Sequence, residues 1–150
     1  MIVGVGEMVI EALIAARHLA AHGIECEVID LVSIYPIDHE TVRDSAIKTG
    51  RLIVADSDKI PFSVVNDLLC SIGQGISVRP VACEAAPYPL TTGYYLSAGT
   101  IVTAARELMP DHEVAAMPDR SFLEVHLPPT FEVDELISLP TESPEKGVQQ

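Results

Sequence analysis

The chain has 150 residues with 22 acids against nine lysines and arginines, and its net charge of −13 disfavours nucleic acid and anionic membranes while favouring basic partners. Hydrophobic residues make up 48% but aromatics only 5%, with no tryptophan, so aliphatic and alanine packing must fill the core of one ordinary-sized domain. Cys26, Cys70 and Cys83 are scattered through apolar runs, as reduced thiols of a cytoplasmic protein are, and Glu7 and Glu11 interrupt the N-terminal run that could imitate a signal peptide.

The first strand ends around Val5, and Gly4 and Gly6 turn it into a helix from about Glu7 to His22. Met8, Ile10, Leu13, Ile14, Leu19 and Ala20, with Ala12 and Ala16, set out a wide apolar face, while Glu11, Ala15, His18 and His22 occupy another side. Gly23 stops the helix. A short second strand follows at Glu25–Asp30, and Pro36 keeps the next stretch extended. Asp38 caps a second helix whose buried side is Val42, Ala46 and Ile47 and which Gly50 ends.

Arg51–Asp56 is a nearly continuous apolar strand, the pattern of a strand covered on both faces with parallel neighbours. Pro61 opens a helix to Gly73 through Val64, Val65, Leu68, Leu69 and Ile72. In the fourth strand, Ile76–Cys83, Pro80 removes a ladder donor and points to a sheet edge or an irregularity. A loop from Glu84 to Leu96 leads to a last helix, Ser97–Met109, packed through Ile101, Val102, Ala105 and Leu108. This alternation predicts a three-layer, doubly wound α/β domain with a mostly parallel sheet of about five strands.

Composition changes after Pro110. Residues 111–150 hold nine acids against two basic residues, whereas residues 1–110 hold thirteen against seven. The expected organisation is an α/β domain over 1–109, an acidic proline-rich extension over 110–139 that docks in part, and a disordered linker or terminus over 140–150. Within the extension, Ser121–Val125 suits a strand and Phe131–Ile137 a short amphipathic piece.

Several constellations could carry chemistry. Gly4-x-Gly6-x-x-Val9, with Asp30 closing the second strand, holds two of the three glycines of a dinucleotide-binding turn. Val9 stands where the third would allow close helix packing, and Glu7 would repel a diphosphate, so a tight turn without ligand is favoured over an independent nucleotide- or small-molecule-binding domain. His18 and His22 have metal-compatible spacing but no second ligand pair, which favours a solvated or interface face. Asp56, Asp58 and Glu84 could cluster at the carboxyl ends of strands, where such sheets bind ligands, yet no nucleophile or basic orienter accompanies them. Cys83 beside Glu84 lacks an activating cation.

The order Ile2-Val-Gly-Val-Gly-Glu-Met-Val9, Ala15-Ala16, Gly23-Ile-Glu-Cys-Glu-Val-Ile-Asp-Leu31, Pro36-Ile-Asp38 and Thr49-Gly-Arg-Leu-Ile-Val54 closely resembles the C-terminal domain of transketolase-like thiamine diphosphate enzymes. It is most similar to the beta subunit of the decarboxylating component of 2-oxoacid dehydrogenases acting on pyruvate, branched-chain 2-oxoacids or acetoin. The resemblance covers residues 1 to about 109, with Pro87-Tyr88-Pro89 and Tyr94-Tyr95 in the place of the family's proline-rich segment. It implies that thiamine diphosphate and its Mg are held by two other domains, and that this one packs beside them at a subunit interface. No residue here inherits a catalytic, cofactor-binding or metal role. The implied partners are a second copy, the thiamine diphosphate-binding domains or subunit, and a lipoyl or acyl carrier domain, with Asp56, Asp58, Glu84, Pro87, Tyr88 and Pro89 as the partner interface. One departure is Asp56-Ser-Asp58-Lys-Ile-Pro-Phe62, where the family usually has a His-Glu or Glu-Glu pair and a glycine-rich turn.

Overall fold

In the computed structural model, described for residues 1–59, 63–83 and 96–117, four parallel strands alternate with four helices. The strands are β1 (Ile2–Gly4), β2 (Val28–Asp30), β3 (Arg51–Lys59) and β4 (Ser77–Cys83), and they lie in the order β2-β1-β3-β4. The helices are α1 (Met8–Ala20), α2 (His39–Thr49), α3 (Val65–Ser71) and α4 (Ala98–Leu108). The doubly wound α/β architecture is therefore as the sequence predicts. The proposed strand Ser121–Val125 and the segment Phe131–Ile137 lie outside the described residues.

Alternation along the strands divides the core. Ile2, Ile53, Ala55 and Val81 face α1 and α4, while Val3, Leu52 and Val54 face α2 and α3. All three strand pairings are parallel, with Ile2 opposite both Val28 and Ile53. Pro80 is accommodated because β4 is the outer strand of the four. The chain leaves β1 toward β2 on one side and, after β3, proceeds to β4 on the other, so the winding reverses between β1 and β3.

Helix ends follow local chemistry. Asp38 caps α2, accepting from Thr41 Oγ1 at 2.7 Å and from the Thr41 N–H at 3.1 Å, and Gly50 closes it at φ +68°. Ser97 and Thr100 form a reciprocal capping box on α4. The Thr41 hydroxyl, and then its amide, hold the Asp38 carboxyl below its ordinary pKa. A lowered folded-state pKa contributes stability above the unfolded value and loses it as pH falls through the folded value. Asp38→Asn, which still caps, is expected to flatten the acid limb of a plot of Tm against pH as pH falls below about 4, the ordinary carboxyl range.

Two helix faces and one helix start differ from the sequence expectation. In α1 the buried residues are Met8, Glu11, Ala12, Ala15 and Leu19, whereas Ile10 and Leu13 are 61% and 55% exposed. That helix is apolar on two sides, so periodicity alone cannot choose between them; the side bearing Ala12 and Ala15 goes inward, where small residues let helix and sheet approach closely. In α2, Ser45 is buried and Ile47 exposed. Ser45 donates to Glu27, which gives its hydroxyl a partner on the inward side. The third helix begins at Val65 rather than Pro61, with the Ser63 hydroxyl accepting from the Val65 N–H.

Beyond α4, Val114 is buried in the α1–α4 core, and Met117 packs against it. The His18 ring donates from Nε2 to the Ala115 carbonyl at 2.9 Å, fastening this segment to α1. Val114→Ala is expected to cost about 1–2 kcal/mol in urea unfolding, by loss of buried methyl groups.

Candidate functional site

The winding reverses between β1 and β3, and open α/β sheets accept ligands beyond the carboxyl ends of the strands at such a point. The glycine turn follows β1 there. A Cβ on Gly4 would stand 2.8 Å from Val9 Cα and 2.9 Å from Val9 N, so this glycine exists to let α1 start against the strand. Gly6 has φ +56° with open space beside it and supplies the turn itself. The first amides of α1 are already engaged: Met8, Val9 and Ile10 N–H donate to the carbonyls of Val5, Gly6 and Glu7 at 3.1, 3.2 and 3.2 Å. A diphosphate would have to win them from those partners and face Glu7 as well.

Asp56 follows Ala55 near the carboxyl end of β3, within an irregular stretch of the β3–β4 pairing between Ala55 and Lys59. Its carboxylate is buried and serves the loop. Oδ2 accepts from Ser63 Oγ at 2.6 Å, and Oδ1 accepts from the Asp58 N–H at 3.1 Å. Ser63 in turn receives the first amide of α3, so Asp56 organises the β3–α3 connection. Asp58 is exposed, with Oδ1 accepting from the Lys59 N–H. Burial pushes the Cys83 thiol up, and the charges of Asp56 and Asp58 push it further, which suppresses its thiolate. Glu84, Pro87, Tyr88 and Pro89 lie outside the described residues.

The sequence gives no sign that Glu11 belongs to this region, yet it is only 2% exposed, with Oε2 accepting the Ala98 N–H of α4 at 2.7 Å. The carboxylate complements the helix N-terminus. Its Oε1 has no hydrogen-bond partner among the described residues.

Other polar clusters are structural ties. The His22 ring donates from Nδ1 to the His18 carbonyl at 2.8 Å, and among the described residues no group of three or more His, Cys, Asp or Glu could hold a metal ion. His39 Nδ1 lies 2.9 Å from Ser71 Oγ, and Asp67 is 3.8 Å from Nε2, superficially a Ser-His-Asp set. The Ser71 hydroxyl donates to Leu68 O, however, so the imidazole must donate to Ser71 rather than take its proton. The arrangement fastens α2 to α3.

What the surface does offer is apolar area. Besides Ile10 and Leu13, the loop after β2 exposes Val32 at 88%, Ile34 at 59% and Tyr35 at 93%. Among the described residues no helix is long and apolar enough to cross a membrane, so a bilayer-spanning helix does not explain these side chains.

Comparison with known proteins places this geometry. The family model of the transketolase C-terminal domain matches residues 1–94. The chain is 35% identical over 118 residues to the beta subunit of acetoin:2,6-dichlorophenolindophenol oxidoreductase from Cupriavidus necator, covering 72% of this chain and 35% of the relative. It is 39% identical over 77 residues to the mitochondrial pyruvate dehydrogenase E1 component subunit beta of Ascaris suum, covering 51% of this chain and 19% of that one. The chain thus spans only a minor part of these relatives' length. Among solved structures, a split gene transketolase described as an inactive beta4 tetramer matches with a TM-score of 0.64 and 29% identity, over 75% of this chain and 39% of the other.

Proposed function

This chain belongs to the transketolase C-terminal domain family, and we propose that it serves as the non-catalytic assembly and docking domain of a thiamine diphosphate-dependent enzyme. The parent activity on this reading is that of a 2-oxoacid dehydrogenase or transketolase-like enzyme, which decarboxylates or cleaves a keto substrate and passes the acyl or ketol unit to an acceptor. The observation that carries the proposal is the exposure of large aliphatic and aromatic side chains on α1 and the 32–35 loop of this family fold. Thiamine diphosphate and Mg belong, by resemblance, to other domains. The groups in this chain that would have to meet a metal diphosphate, Asp56 and the α1 amides, are engaged internally. No chemical step is assigned to its residues.

On this reading residues 1–109 are the assembly domain, and the acidic 110–139 extension with the 140–150 terminus leads toward a partner. Asp58, with Glu84, Pro87, Tyr88 and Pro89, is the face proposed for a basic docking partner such as a lipoyl or acyl carrier domain, while Asp56 positions that loop from beneath. A pull-down from the native source, with residues 1–150 as bait and mass spectrometry as readout, tests the reading. Recovery of a chain carrying a thiamine diphosphate-binding motif is expected; recovery of the bait alone overturns the proposal.

The alternative, an independent nucleotide-binding domain, predicts a thermal shift with nucleotides equivalent to about 2.7 kcal/mol at a hundredfold excess over the dissociation constant. The engaged amides of the Gly4–Gly6 turn favour finding no shift.

A further inference from the structure

We draw no further inference here: the strongest candidate, the buried Glu11 carboxylate at the N-terminus of α4, whose Oε1 has no hydrogen-bond partner among the described residues, rests on an oxygen closed off from the surface, and with residues 84–95 outside the described residues nothing in the structure shows what faces it.

Discussion

Gly4→Ala is expected to destabilise the chain by about 3 kcal/mol in urea unfolding, more than any change at the other glycine of the turn. The added Cβ would sit 2.8 Å from Val9 Cα, 2.9 Å from Val9 N and 3.1 Å from Met8 C. All three are backbone atoms, so no side chain can rotate away. Relief requires α1 to move off β1, which opens the packing of Met8 and Ala12, both buried. Gly6→Ala provides the contrast. Its Cβ has nothing within 4 Å, so its cost is the positive φ of 56°, about 1–2 kcal/mol. Equal losses at the two positions would mean that α1 can slide freely and that its close approach to β1 is unimportant.

Glu11→Ala is expected to cost about 2–4 kcal/mol, with Glu11→Gln costing under about 1.5 kcal/mol. The alanine variant leaves the buried Ala98 N–H without its acceptor and opens a cavity between α1 and α4. The glutamine variant keeps the acceptor at 2.7 Å and replaces an oxygen that has no partner among the described residues with an amide nitrogen. The measurement is chemical unfolding of both variants, together with amide exchange at Ala98. If alanine and glutamine are equivalent, the hydrogen bond across 87 residues of sequence does not hold α4.

Much of the architecture is legible in the sequence because it rests on local physics. Asp38 and Gly50 bound α2 through a side-chain cap and a left-handed C-terminal residue, and Ser97 begins α4 with a capping box, so both helices fall within a residue of their expected limits. The unbroken apolar run Leu52–Ala55 signals a central parallel strand, and β3 lies between β1 and β4. The motif order Gly4-Val-Gly6, Gly23–Leu31 and Thr49–Val54 points to the family that the comparison shows.

The candidate site is less legible. Asp56 stands out in the sequence as a carboxylate at a strand end, but its bonds to Ser63 and Asp58 arise in an irregular stretch of the β3–β4 pairing whose position the sequence pattern does not give. Glu11 is an acid among apolar residues, and periodicity sets it on a side away from the expected apolar face. Its burial follows from the N-terminus of α4 arriving beside it, which is a long-range event.

Sequence alone determined the order and type of the elements, the ends of α2 and α4, the parallel sheet and the family, because caps, glycines and strand composition act within a few residues. The tertiary structure decided which side of α1 faces inward. Met8, Ile10, Leu13 and Leu19 are all apolar, so the hydrophobic effect on α1 alone cannot choose between its two sides. Packing against the sheet chooses through Ala12 and Ala15, and the N-terminus of α4 gives Glu11 a hydrogen-bond donor once that side is buried. What is left outside is Ile10 and Leu13, with Ile14 partly buried at the margin of the core.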